Sequence, residues 1–223
     1  FAFIDKQNLS AIKIEFQGGE PLLALDHLKA VRNFCRAKFV ECEFVVCTNL
    51  QSVSPEAWDF LALPDVKIST SIDCTLALHE KQRMGSKASI NEFVFNLDFA
   101  INTLGPDKIS ALPTIDPSCL PLPVELLDTY SRWSIYSIFL RPVANYGFAR
   151  RKHDATSLPD SWFDFHRSVV TEMIRRNYTE GEQFEEFYFT HCLRRMIRAD
   201  TNGHVDLRNP NILGQDYIVI DYD

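Results

Sequence analysis

Ile12-Lys13-Ile14-Glu15-Phe16-Gln17-Gly18-Gly19-Glu20-Pro21 is the stretch that decides how this chain is read. Its first half, rich in isoleucine and phenylalanine, suits a strand. The chain then meets two glycines, a carboxylate and a proline before Leu22–Ala37, where Leu25, Leu28, Val31 and Phe34 recur at helical spacing. A strand that runs into a helix through such a turn is suited to a small-molecule ligand. The glycines let the backbone come close to it. Glu20 fixes a negative charge at the strand's C-terminal end, where α/β sheets place their sites. Taken alone, the turn is equally a plain connection with a surface glutamate.

Working outward, short apolar runs alternate with helical patterns, the signature of repeated βα units and a parallel sheet. The strand candidates are Ala11–Phe16, Phe44–Thr48, Val66–Ile72, Ile109–Ile115 and Ser134–Pro142. They lack strict alternation, which predicts burial on both faces. Ser54-Pro55 opens a helix with a serine cap and a proline in the first turn. Ser89-Ile90-Asn91-Glu92 has the capping-box pattern for a helix through Leu104, and Pro123 opens another to Tyr130. Beyond the fifth strand, Asp160–Asn177 and Gln183–Ala199 are two amphipathic stretches with no strand expected between them. The chain is therefore read as α/β, with residues 1–150 forming a barrel-like domain and residues 151–223 a helical extension.

The 223 residues allow a full-size core. The net charge of −7 gives no field that would favour nucleic acid. No apolar run reaches the ~20 residues of a membrane span, and no secretory signal is visible. Cys35, Cys42, Cys47, Cys74, Cys119 and Cys192 contain no C-x-x-C pair, so reduced thiols in a cytoplasmic protein are expected. The start at Phe1-Ala2-Phe3 and the strand-like end at Val219–Asp223 suggest an internal piece of a longer protein.

Four further segments carry chemistry-bearing residues in order. Cys47-Thr48-Asn49 ends the second strand, with Leu50 following; Asn49 also suits a left-handed turn position. Ser69-Thr70-Ser71-Ile72-Asp73 ends the third, and Ser71 and Asp73, two apart, project to the same side of an extended chain. Asp73 is alternatively a turn residue. His79-Glu80-Lys81-Gln82-Arg83 looks like the zinc motif H-E-x-x-H, but Arg83 replaces its second histidine. Arg83 is then either a bidentate carboxylate clamp or an exposed helix-face residue. Phe139-Leu140-Arg141-Pro142 leads into Tyr146-Gly147-Phe148-Ala149, placing an arginine and two aromatics at the end of the fifth strand. Arg141 is otherwise a structural partner of a buried carboxylate. The basic runs Arg150-Arg151-Lys152-His153 and Arg194-Arg195 are read as solvated faces, with guidance of an acidic leader peptide as the alternative. His27, His166, His191 and His204 have no mutual ligand spacing and are read as structural.

In this order, Gly-Gly-Glu-Pro, Thr-Asn, Ser-Ile-Asp and His-x-x-x-Arg resemble the radical S-adenosylmethionine (radical SAM) enzymes. The last segment, with Asp206-Leu207-Arg208-Asn209-Pro210-Asn211 and the closing Asp-Tyr-Asp, resembles the His-Xaa-Ser system radical SAM maturases. Leu50 and Cys74 stand where that family usually has glycine.

The resemblance implies a partial (β/α)6 radical SAM barrel lacking its first strand, which would carry the C-x-x-x-C-x-x-C cluster loop. Gln17, Gly18, Gly19, Glu20, Asn49, Ser71, Asp73 and Arg83 would then bind S-adenosylmethionine, with the turn and Glu20 at its amino group, Ser71 and Asp73 at the ribose, and Arg83 at its carboxylate. Arg141 and Tyr146 would meet the substrate. A [4Fe–4S] cluster, whose cysteines this chain does not contain, would reduce S-adenosylmethionine to generate a 5′-deoxyadenosyl radical. The implied partners are a peptide or protein substrate, a His-Xaa-Ser repeat protein under the subfamily resemblance, and a flavodoxin or ferredoxin as reductant. The chain by itself would be inactive. Two alternatives remain at this point: a non-catalytic α/β module that binds a peptide, and an enzyme similar to the anaerobic sulfatase maturases.

Overall fold

A computed structural model describes residues 10–83, 87–143 and 160–198. Strands β1 (Ala11–Phe16), β2 (Glu41–Thr48), β3 (Val66–Thr70), β4 (Ile109–Ala111), β6 (Ser137–Ile138) and β8 (Glu185–Glu186) form one parallel sheet in the order β1-β2-β3-β4-β6-β8. Seven helices connect and flank them among the described residues: α1 (Leu25–Lys38), α2 (Pro55–Leu61), α3 (Leu76–Arg83), α4 (Lys87–Leu104), α5 (Pro123–Arg132), α6 (Asp160–Thr179) and α7 (Phe187–Ile197). A single 3₁₀ turn, Pro21–Ala24, joins the Gly-Gly-Glu turn to α1. The chain divides into two compact units, Phe1–Phe187 and Tyr188–Asp223; of the second, the described part is the helical stretch that continues α7.

The fourth and fifth expected strands are each split in two. Thr114–Ile115 (β5) and Arg141–Pro142 (β7) pair in parallel, in the same register as Ala111 with Ile138. The break falls at Leu112-Pro113, because Pro113 has no N–H to donate. Leu112 N donates instead to Thr70 O at 2.8 Å, and Arg141 N reaches Pro113 O at 3.1 Å.

Two sequence expectations need correcting. Burial in β1 and β2 does alternate: Phe44, Val46 and Thr48 are buried, while Lys13, Glu15 and Glu43 are exposed. One face therefore packs on helices and the other is polar, which is why both strands mix charged residues with isoleucine, valine and phenylalanine. The sequence Gln183–Ala199 is also not one helix. Glu185–Glu186 adds a sixth strand to the main sheet and α7 begins only at Phe187. Tertiary contacts override the helical pattern there. The Asn177 side chain bonds both the N–H and the carbonyl of Phe184 at 2.8 Å, and Glu185 N donates to Tyr136 O at 2.8 Å.

The core runs from Leu28 and Cys35 on α1, through Phe44, Val46 and Ile68 in the sheet, to Leu126, Leu127 and Tyr130 on α5. Trp162, Phe165, Val169 and Met173 of α6 join the same cluster. Burying side chains of this size is worth about 1.5–3 kcal/mol each. Helix starts follow the sequence at Ser54, whose Oγ accepts from Ala57 N at 3.2 Å ahead of Pro55. Helix α4 begins at Lys87, two residues before the expected capping serine.

Candidate active site at the strand ends

Parallel registry brings the C-terminal ends of the strands together, and with them most of the residues singled out in the sequence. Phe16 lies against Val46, Cys47 against Ser69, and Ser69 against Ser110. Gln17, Asn49 and Ser71 therefore extend from neighbouring strand ends, and Arg141 lies on β7 beyond the fourth.

The Gly-Gly turn leaves β1 with left-handed backbone at both glycines, φ +84° at Gly18 and +45° at Gly19. A side chain at either position would meet nothing within 4 Å, so open space lies beside this backbone. Conformation rather than crowding calls for glycine here. Glu20 caps the 3₁₀ turn, its Oε1 accepting from Leu22 N at 3.2 Å. Its Oε2 accepts from Asn49 N at 2.9 Å, joining the turn after β1 to the end of β2. Gln17 Nε2 donates to Glu15 at 2.8 Å.

After β2 the left-handed positions are Leu50 (φ +54°) and Ser52 (φ +51°), one and three residues beyond Asn49. Leu50 is fully buried, and Asn96 donates to its carbonyl at 2.8 Å. Asn49 Oδ1 accepts from Gln51 N at 2.8 Å, forming the local turn.

After β3 the chain turns inward. Ser71 is half-buried, but Asp73 is completely buried. Its Oδ1 accepts from Thr114 N at 2.9 Å and its Oδ2 pairs with Arg83 Nε. His79 Nδ1 lies 3.6 Å from Oδ2 and accepts the Asp73 backbone N–H at 3.3 Å. Burial alone raises the Asp73 carboxyl, but the Arg83 charge and hydrogen bond and the Thr114 amide bring it below the ordinary carboxylate value. Tyr130 holds the same segment from below, donating its hydroxyl to Ile72 O at 2.6 Å. Cys74, the next residue, has φ +110° in a buried position, and burial pushes its thiol up to about 12.

On the polar sheet face, Lys13 pairs with Glu15 at 3.3 Å and with Glu43 at 3.4 Å. Nearer the strand ends, Cys47 shares this face with Ser69, Glu15 and Arg141. Burial, reinforced by Glu15, pushes the Cys47 thiol up to about 11, so it stays protonated at neutral pH and is not a nucleophile. The Arg141 guanidinium stacks over Phe139 at 5.1 Å. Sequence reasoning did not assign roles to Glu15, Cys47, Ser69, Thr114, Tyr130 or His79. Alternation of charged and apolar residues in β1 was the available signal for the first of these.

Tyr146 lies outside the described residues, as do the Arg150–His153 run, His204 and the 206–211 segment. Among the described residues, no group of three His, Cys, Asp or Glu could hold a metal ion, so these residues do not fit an iron–sulfur cluster. They do offer an open glycine backbone, a carboxylate and a half-exposed arginine, which suit the amino and carboxylate groups of an amino-acid-like ligand. A shallow groove of about 550 Å³ lies elsewhere, between α3 and α4, lined by Leu76, Glu80, Val94 and Phe95 among others.

No family model and no curated protein matches the chain. Solved structures do. Native anSMEcpe with bound AdoMet superposes with a TM-score of 0.70 at 14% identity, over 87% of this chain and 54% of that one. The same protein with AdoMet and a Cp18Cys peptide gives 0.71 at 14% identity, over 88% and 55%. With AdoMet and a Kp18Cys peptide it gives 0.68 at 14% identity, over 87% and 54%. The chain thus spans about half the length of the structures it matches. The sheet order, the flanking helices and this superposition agree that the chain has a partial-barrel α/β fold of the kind seen in anSMEcpe.

Proposed function

We propose that this chain is the S-adenosylmethionine-holding part of a radical SAM enzyme that modifies a peptide or protein. The observation that supports this most is the Gly18-Gly19-Glu20 turn, tied through Glu20 to Asn49 at the mouth of a fold shared with anSMEcpe. That relative is an anaerobic sulfatase-maturating radical SAM enzyme, and its structures hold AdoMet with peptides.

In this reading the Gly18 and Gly19 backbone and Glu20 receive the ligand's amino group, with Gln17 and Asn49 beside them. Arg83 receives its carboxylate through a forked pair of hydrogen bonds. Ser71, the half-buried member of the Ser71–Asp73 pair, reaches the ribose, and Asp73 works from beneath. Arg141 and Tyr146 face the substrate. A [4Fe–4S] cluster, whose cysteines this chain does not contain, would supply the electron that cleaves the sulfonium. The protein's own part is to orient the ligand and exclude water.

The barrel is proposed to run past the expected boundary at residue 150, because Glu185–Glu186 pairs with β6 and Trp162, Phe165, Val169 and Met173 join the core. The expected 151–223 extension is thus not a separate body over its first part. The finer proposals are a His-Xaa-Ser repeat protein as substrate, a flavodoxin or ferredoxin as reductant, and a cytoplasmic location. Among the described residues no helix is long and apolar enough to cross a membrane.

The test is 5′-deoxyadenosine formation by the full-length protein, reconstituted anaerobically and reduced with dithionite. Formation that is lost in Glu20→Ala and Arg83→Ala is the expected result. No product from a protein with a verified cluster would contradict the enzyme reading and favour a peptide-binding module.

A further inference from the structure

His79 is buried to its last atom, yet its Nε2 has no hydrogen-bond partner among the described residues. The other ring nitrogen, Nδ1, accepts the Asp73 backbone N–H at 3.3 Å, which leaves the proton on Nε2. A buried donor without a partner destabilises the folded state. If the only demand at this position were packing on Phe93, whose ring centroid is 4.6 Å away, leucine would meet it without that cost. The histidine therefore serves its other contacts, and these all lead to Asp73.

Asp73 in turn has three partners from two elements: its Oδ1 accepts from Thr114 N on β5, its Oδ2 pairs with Arg83 Nε at the end of α3, and its backbone N–H donates to His79 on the same helix. The carboxylate is wholly enclosed, while the Arg83 side chain is 34% exposed. Arg83 is thus gripped at its inner nitrogen from below and reaches the surface with the rest of its fork. Among the described residues it has no other hydrogen-bond partner. A guanidinium is planar, so fixing Nε fixes the plane in which its terminal nitrogens lie. Lysine at position 83 could not be held in this way.

We infer that His79 is a positioning residue, which acts through Asp73 to orient Arg83 toward the carboxylate end of S-adenosylmethionine. This rests on the ligand-binding reading above. His79 accepts the Asp73 amide and so fixes the backbone that carries the carboxylate, and Thr114 N holds its Oδ1. Arg83 then presents one orientation rather than several. The ordering entropy of the clamp is settled during folding, before ligand arrives.

The experiment is a double-mutant cycle on the full-length holoprotein, read by equilibrium binding of two ligands. One is S-adenosylmethionine; the other is 5′-methylthioadenosine, which has no carboxylate. His79→Leu should weaken S-adenosylmethionine about 10-fold, as loss of a residue behind a ligand-contacting group commonly does. It should change 5′-methylthioadenosine by no more than about 2-fold. His79→Gln, which keeps an acceptor, should recover most of the loss. In an Arg83→Ala background, His79→Leu should add nothing further. If His79→Leu does not fold, Asp73→Asn must show the same selectivity between the ligands. Equal weakening of both ligands, or fully additive effects with Arg83→Ala, would overturn the inference and leave His79 a packing residue. A wild-type protein that binds neither ligand would overturn the ligand-binding reading and this inference with it.

Discussion

The Glu20 carboxylate accepts the backbone N–H of Asn49 at 2.9 Å across 29 positions of sequence. Its second oxygen accepts from Leu22 N at 3.2 Å, so one side chain both caps the turn after β1 and fastens it to the end of β2. Glu20→Ala removes a cap and a cross-strand bond together and should cost about 1–3 kcal/mol of stability. Glu20→Gln keeps one acceptor oxygen and should cost about half as much. Urea denaturation measures both. An alanine variant as stable as the parent would show that neither bond matters.

Asp73 gives the fold an acid limit. Its folded-state carboxyl lies below the unfolded value of about 3.9, because Arg83 and the Thr114 amide outweigh burial. The stabilisation is therefore complete above about pH 4 and is lost as pH falls through the folded value. Melting temperature followed from about pH 7 down to about pH 3 should fall more gently in Asp73→Asn than in the parent, although the variant starts lower. Parallel curves would show that Asp73 does not set the acid limb.

Cys74 occupies a left-handed backbone position, φ +110°, that non-glycine residues rarely adopt. Such strain is worth about 1–3 kcal/mol, close to the value of the small buried thiol. Cys74→Gly should therefore stay within about 1 kcal/mol of the parent, whereas the β-branched Cys74→Val should lose more than about 2 kcal/mol. A Cys74→Gly variant that fails to fold would mean that thiol packing dominates the strain.

Arg176 on α6 has only 6% of its side chain exposed and is paired with Asp128 at 2.7 Å, Glu172 at 2.9 Å and Glu182 at 3.8 Å. Arg175 and Arg176 hold the Glu172 carboxyl down to about 2. This cluster joins α5, α6 and the turn that leads to β8. Arg176→Ala strands several carboxylates and should cost about 3–5 kcal/mol, with Arg176→Met losing less because it keeps the packing. Chemical denaturation decides; a cost below about 1 kcal/mol would make the cluster a surface feature.

The parts of this fold that were legible in the sequence are those set by local chemistry. Gly18, Gly19 and Pro21 announce the turn, and Ser54-Pro55 announces a helix start, because backbone conformation and capping are decided within a few residues. Glu185 and Glu186 look helical, since their strand pairing depends on Tyr136 and their anchorage on Asn177, which no local pattern records. Leu50 holds its left-handed backbone while fully buried and bonded through its carbonyl to Asn96, a setting that no local pattern records. At the site, proximity of the strand ends follows from the βα order alone. The inward burial of Asp73 does not, because it depends on Thr114 of β5 converging with His79 and Arg83 of α3.

A crystal structure of the full-length protein with S-adenosylmethionine tests the central claim most directly. The ligand's amino group is expected within hydrogen-bond reach of the Gly18–Gly19 backbone and Glu20, and its carboxylate on Arg83. Density for the ligand elsewhere, with this turn unoccupied, would contradict it.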